Sequence, residues 1–113
     1  MIVNANGTYR HLQHSMHFPL GLEKMEIVVE RGQLEFGQLL VLFSDGLTEI
    51  VNPSGEMLNI KSVSDQVAGI YAIDATRSLA STAELLNQDL ARFEGGCLPR
   101  DDRSFLLARR YLD

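Results

Sequence analysis

The sequence predicts an α+β domain, with antiparallel strands in the first half of the chain and helices in the second. Residues 39–43, Leu-Leu-Val-Leu-Phe, form an unbroken apolar run that is typical of a strand buried on both faces. From about residue 59 onward, the apolar residues instead recur at helical spacing. The pair Asn6-Gly7 and the Pro-Ser-Gly tripeptide at 53–55 are turn signals that suit short antiparallel connections.

The composition is that of one soluble globular domain, with 113 residues, 45% of them hydrophobic and 22% charged. The net charge of -5 argues against a nucleic-acid-binding surface, because phosphate binding needs a basic face. A single cysteine, Cys97, excludes an intrachain disulfide and suits a reducing compartment. No apolar run approaches the length of a membrane span, and the N-terminus lacks a signal-peptide pattern. We therefore expect a cytoplasmic domain that binds neither nucleic acid nor membrane.

Short strands joined by turns are predicted for the first half of the chain. Residues 1–24 are interpreted as a short strand, a turn at Asn6-Gly7 and a connector that includes a bend at Phe18-Pro19. Besides the apolar run, strands are predicted at 8–12, 25–31 and 47–52. The turn at 53–55 closes the last of them.

Three histidines at regular spacing, His11, His14 and His17, would lie near one another on a helix and suggest a transition-metal site. The Asn-Gly turn before them and Phe18-Pro19 after them leave little room for a helix. We therefore interpret them as surface or partly packed side chains and place no metal ligand among them.

Two amphipathic helices and a final strand are predicted for the second half. The first helix runs over about residues 59–72. The second begins at a capping box, in which the Ser81 hydroxyl accepts from the Glu84 amide, and it ends at Gly95-Gly96. The apolar stripes of the two helices consist of Ile60, Val63, Val67, Ile70, Leu86, Leu90 and Phe93. Residues 104–111 then return to a strand.

Acidic residues stand at the ends of two predicted strands. Asp45 follows the apolar run directly, and Gly46 allows the backbone to turn and to lie close to whatever Asp45 holds. Asp101 and Asp102 stand just before the last strand, and in adjacent antiparallel strands the end of one lies beside the start of the other. Carboxylates that share such a place suit Mg²⁺ or Mn²⁺. From spacing alone, turn and cap roles are the better interpretation, because Asp commonly serves them.

The motifs around these residues are more specific than their spacing. In order along the chain they are Pro-Leu-Gly-Leu at 19–22, Gly37, Leu-Leu-Val-Leu-Phe-Ser-Asp-Gly-Leu-Thr-Glu at 39–49, Asn-Pro-Ser-Gly-Glu at 52–56 and Arg-Asp-Asp-Arg-Ser at 100–104. From about Asn6 to its end, the chain closely resembles the C-terminal half of the PP2C-like serine/threonine phosphatases of the bacterial SpoIIE/RsbU type. The Asp-Gly-x-x-Glu and Asp-Asp-x-Ser segments are characteristic together and weak separately.

The resemblance implies an αββα fold, two packed antiparallel sheets flanked by helices, with a two-metal Mn²⁺ or Mg²⁺ centre between the sheets. It implies removal of phosphate from phosphoserine or phosphothreonine, often on anti-sigma-factor antagonist proteins. By match to the motifs, Asp45 would be a metal ligand, Gly46 would lie against the metal centre through its backbone, and Asp101 would be a second carboxylate ligand. Asp102 would support the loop.

The chain departs from the family pattern in three ways. The family usually has Gly-Asp in place of Gly37-Gln38 and Phe-Gly in place of Leu58-Asn59, both peripheral to the chemistry. The family's N-terminal half, which supplies another metal-binding aspartate, has no counterpart, so we interpret residues 1–113 as a single, truncated domain. We expect this chain to be inactive alone, because hard-cation affinity depends on ligand count. We also expect it to form a dimer or larger, because half a sandwich exposes sheet edges and one face of apolar helices. A non-catalytic adaptor that binds a regulatory protein is the alternative.

Overall fold

The computed structural model describes residues 1–12, 21, 24, 29, 31–99 and 101–111. These residues form an antiparallel four-stranded sheet and helices, which confirms the predicted α+β class. The elements are β1 (Ile2–Val3), β2 (Tyr9–Arg10), β3 (Leu39–Phe43), α1 (Asp45–Thr48), α2 (Ile60–Ile73), α3 (Leu79–Glu94) and β4 (Phe105–Arg109). The strand order is β2-β1-β3-β4, so the predicted central strand β3 lies between β1 and β4.

The turn predicted at Asn6-Gly7 joins β1 to β2. The Asn4 amide donates to the Thr8 carbonyl over 2.8 Å, and Gly7 takes a φ of 85°, which favours glycine. The strand after the turn covers only Tyr9–Arg10, so it is shorter than the predicted 8–12.

The apolar run of β3 has one buried face rather than two. Leu39 and Val41 are almost fully buried and share a core with residues of α2 and α3, whereas Leu42 is 50% exposed. Successive side chains of a strand point to opposite faces, and Leu42 points away from the helices. The prediction of burial on both faces was therefore wrong for this strand.

Helix α2 confirms the predicted amphipathic helix almost to the residue. The Asn59 side chain caps it by accepting from the Ser62 amide over 2.9 Å. Val63, Val67 and Tyr71 are buried on the side that faces the sheet and α3.

Helix α3 begins earlier than its predicted capping box. Ser78 is the N-cap, and its hydroxyl accepts from the Ser81 amide over 3.1 Å, so Ser81 lies inside the first turn. The prediction of a capping box at Ser81 was therefore wrong. The helix begins three residues earlier, and Ser78 caps the free amide of Ser81. At the other end the prediction is confirmed, since Gly95 closes the helix in the left-handed conformation with a φ of 59°.

The segment after β3 turns into a helix instead of the strand predicted at 47–52. Asp45–Thr48 form α1, and the Thr48 hydroxyl donates to the Asp45 carbonyl over 3.0 Å. The structure keeps one isolated antiparallel bridge near this place, between Val51 and Met57. Leu47 of this helical turn is buried and belongs to the hydrophobic core.

The predicted turn at 53–55 is confirmed. The Asn52 side chain accepts from the amides of Ser54 and Glu56 over 3.0 and 2.9 Å, and Gly55 takes a φ of 81°.

Some predictions fall outside the described residues, namely the bend at Phe18-Pro19, His14, His17 and most of the strand at 25–31. His11 is described, and its Nε2 atom lies 2.8 Å from the hydroxyl of the buried Ser64. Within the described ranges, no helix has the length and apolar character needed to cross a membrane.

Candidate metal centre

Strands β3 and β4 bring the two acidic segments to the same end of the sheet. The last residue of β3, Phe43, pairs with the first residue of β4, Phe105. One residue further, the Ser44 amide donates to the Ser104 carbonyl, and the Ser104 amide donates to the Ser44 hydroxyl, both over 2.9 Å. The antiparallel adjacency expected from the sequence is therefore present. Asp45 directly follows Ser44, the residue that makes these two hydrogen bonds.

Asp45 is the first residue of α1, and its side chain is exposed. Ser44 holds the N-cap position in an extended conformation, yet its hydroxyl makes no cap bond. That hydroxyl instead accepts from Ser104, so the serine that precedes Asp45 ties the two segments together. Because this carboxylate is exposed to solvent and its backbone position is fixed, an ion can reach it from water.

Gly46 is buried against the loop that precedes β4. A β-carbon added to it would lie 2.1 Å from the carbonyl oxygen of Asp102 and 3.0 Å from the Cα atom of Arg103. No side chain fits into that space, so glycine is what allows the two backbones to approach. The neighbour that the structure shows for Gly46 is the Asp102 backbone, and a backbone contact of Gly46 with metal stays a prediction.

Asp101 and Asp102 are both exposed. The Asp101 carboxylate accepts from the Asp102 amide over 2.8 Å, which directs one of its oxygens toward its own loop. Asp102 contributes its backbone carbonyl to the contact with Gly46. The role of Asp102 as a loop support and metal binding by Asp101 both stay predictions.

One ion pair at this end of the fold is absent from the sequence-based prediction. Nη1 of Arg103 donates to Oε2 of Glu94 over 3.1 Å, and Glu94 is buried at the end of α3. A signal existed, because Glu94 continues the four-residue spacing of Leu86 and Leu90 along the buried stripe of the helix. A carboxylate on an apolar stripe requires a cation or a donor nearby.

The side chains of Asp45 and Asp101 are chemically suited to bind a hard cation, but they supply only part of the ligands that such an ion needs. Asp45 and Asp101 offer carboxylate oxygens, the donors that Mn²⁺ and Mg²⁺ prefer. The close backbone approach at Gly46 holds their two segments together. Within the part of the chain that the structure describes, no group of three or more His, Cys, Asp or Glu residues is placed to hold a metal ion. Further ligands would have to complete a tight site.

Comparison with known proteins gives one match. The family model described as Stage II sporulation protein E (SpoIIE) matches residues 1–111, almost the whole chain. Neither the curated proteins nor the solved structures give a match.

Proposed function

This chain belongs to the SpoIIE family, and from that premise we propose that it is part of a metal-dependent protein serine/threonine phosphatase domain. The family assignment supports a PP2C-like, phosphatase-related domain. The observation that carries the finer proposal is the meeting of the Asp45-Gly46 segment with Asp102 at one end of the sheet. This contact joins the two characteristic motifs of the family resemblance.

In this proposal, Asp45 and Asp101 hold Mn²⁺ or Mg²⁺. A bound pair of such ions would acidify a water molecule and neutralise the oxygens of a phosphoryl group. Gly46 keeps the two ligand segments in contact, and the backbone of Asp102 forms the other side of that contact. The reciprocal bonds between Ser44 and Ser104 fix the strand ends from which the carboxylates project.

The proposed substrate is a phosphoserine or phosphothreonine protein of the anti-sigma-factor antagonist type, in the cytoplasm. We further propose that the 113-residue chain alone releases no phosphate. The reason is ligand count, because hard-cation affinity rises with the number of carboxylates and only Asp45 and Asp101 are assigned here.

A second candidate is a non-catalytic adaptor that binds a regulatory protein. Two observations favour it: the described residues contain no group of three metal ligands, and the paired side chains of Leu42 and Leu106 are about half exposed. An apolar sheet face of this kind can bind a protein without chemistry.

Calorimetric titration with Mn²⁺ separates these candidates. We expect wild-type binding that Asp45→Asn and Asp101→Asn each weaken at least about 10-fold, because each removes a charged ligand. Glu84→Gln is the matched control, since Glu84 is exposed on α3 and removes the same charge outside the acidic segments. Unchanged binding in both aspartate variants would contradict the metal assignment. Binding of Mn²⁺ by the wild-type chain, without release of phosphate from a phosphoserine peptide, would agree with the proposal that the chain alone is inactive.

A further inference from the structure

The ion pair between Glu94 and Arg103 links the end of α3 to the loop before β4. Arg103 donates from Nη1 to Oε2 of Glu94 over 3.1 Å, and the side chains of Arg103 and Glu94 are 31% and 10% exposed. Hydrogen bonds between guanidinium and carboxylate are charge-assisted and directional. The pair is therefore a defined anchor for the loop, unlike the exposed pair of Arg92 and Asp89, where the arginine side chain is 77% exposed.

Arg103 also lies inside the contact that joins the two acidic segments. Its Cα atom would lie 3.0 Å from a β-carbon at Gly46, and its neighbours Asp102 and Ser104 contact Gly46 and Ser44. The backbone of residues 101–104 is thus held against the start of α1, while the Arg103 side chain is held by α3. Two independent restraints on one short segment fix its position more closely than either alone.

The position of Glu94 on α3 suggests why a carboxylate stands there. Glu94 follows Leu86 and Leu90 at four-residue spacing, and a leucine at 94 would extend that buried stripe. Replacing a buried ion pair by apolar side chains is often neutral or stabilising, so stability does not require the charge. What an apolar side chain cannot do is hold a guanidinium at a fixed place.

We propose that Glu94, acting through Arg103, is a positioning residue that sets the place of the Asp101 carboxylate relative to Asp45. The proposal rests on the proposed function only where it concerns metal affinity. Its structural part, the placing of residues 101–104, stands on the contacts of Arg103 alone. Glu94 itself is not assigned as a metal ligand.

Two readouts on the full chain test the proposal, and the first needs no metal. Amide hydrogen exchange followed by NMR reports on the Ser104 amide, which donates to the Ser44 hydroxyl. We expect exchange at Ser104 to rise at least about 10-fold in Glu94→Leu and in Arg103→Met. In Glu94→Leu, the Leu58 amide, which donates to the Ile50 carbonyl, and the thermal midpoint should stay near their wild-type values. Arg103→Met leaves the buried Glu94 carboxylate without its cation, so its thermal midpoint should fall. Arg103→Lys, which keeps the charge, should restore part of the protection.

The second readout is Mn²⁺ affinity. Residues that orient metal ligands typically change affinity 10- to 100-fold when they are replaced, and we expect about a 10-fold loss in Glu94→Leu and Glu94→Gln. Arg92→Met is the matched control, because it breaks an exposed ion pair on the same helix, and it should change neither readout.

The outcomes separate this proposal from the proposed function. Unchanged exchange at Ser104 in Glu94→Leu and Arg103→Met would overturn it, whether or not the chain binds Mn²⁺. Faster exchange at Leu58 and Ser104 alike in Glu94→Leu, with a lower thermal midpoint of that variant, would also overturn it, because the pair would then be a general stabilising contact. Faster exchange at Ser104 alone supports the positioning role even if wild-type chain binds no Mn²⁺, in which case only the metal assignment fails.

Discussion

Gly46 lies so close to Asp102 that a β-carbon at residue 46 would come within 2.1 Å of the Asp102 carbonyl oxygen. Two non-bonded atoms cannot approach that closely, so Gly46→Ala must push the loop before β4 away from α1. We expect this variant to lower the free energy of unfolding by about 1–3 kcal/mol. Denaturant unfolding followed by circular dichroism measures the loss.

Gly69→Ala is the matched control for Gly46→Ala. Gly69 lies in the middle of α2, is exposed, and has open space around the place of an added β-carbon. Alanine in a helix interior is favoured over glycine, so this variant should gain about 0.5–1 kcal/mol. Equal stability of the two variants would show that the contact between Gly46 and Asp102 is not tight in solution.

The exposed cross-strand pair of Leu42 and Leu106 predicts self-association of the chain. These side chains are 50% and 54% exposed, lie opposite each other on β3 and β4, and point away from the helices. We propose that a second copy covers this face, since an exposed apolar pair on an open sheet favours association. Light scattering at micromolar concentration should give at least a dimer mass, and Leu42→Lys should shift it to the monomer.

Ile73→Lys is the control for Leu42→Lys. Ile73 is 80% exposed at the end of α2, so the change adds the same charge to a helix rather than to the sheet. It should leave the mass unchanged. A monomeric wild-type chain would refute the prediction of self-association.

The N-cap of α3 gives a prediction that distinguishes two serines. The Ser78 hydroxyl accepts from the Ser81 amide, so Ser78→Ala should cost about 1 kcal/mol of stability. Ser81→Ala keeps the amide that Ser78 caps and should stay within about 0.5 kcal/mol of wild type. Thermal unfolding of both variants decides, and the reverse order of stability would restore the capping box at Ser81.

A side-chain cluster between β2 and α2 predicts a pH-dependent contribution to stability. Hydrogen bonds from Lys61 first, and then from Tyr9, lower the pKa of Asp65 below its usual 3.8. A carboxyl group with a lowered folded-state pKa stabilises the fold above its unfolded pKa and loses that contribution as the pH falls through the folded value. The bonds measure 2.6 Å from Lys61 and 2.7 Å from Tyr9.

Asp65→Asn tests this contribution. The thermal midpoint of the variant should lie below that of wild type at pH 7, and the difference should close as the pH falls below 3.8. The effect should be small, because the cluster is exposed and screened by solvent. A difference that persists unchanged at low pH would mean that the carboxylate charge contributes nothing.

Much of the candidate site follows from sequence order and strand geometry. An apolar run that ends in Asp45-Gly46, and an Asp101-Asp102 pair that precedes a second strand, must meet if the strands pair antiparallel, and they do. Helix α2 was equally predictable, because its apolar residues recur at helical spacing over the stretch that the helix covers. Ser78 and Ser81 are both suitable N-cap residues for α3, and the sequence pattern alone does not distinguish between them.

By itself, the amino-acid sequence determined the α+β class, the place of β3 and α2 in the chain, the family resemblance and the adjacency of the two acidic segments. Only the tertiary structure decided that the segment after Asp45 is helical, that Leu42 lies on an open face, and that Glu94 meets Arg103. The physical reason is the range of the interactions. Periodicity and capping act between near neighbours in the chain, whereas burial and ion pairing depend on which distant surfaces come together.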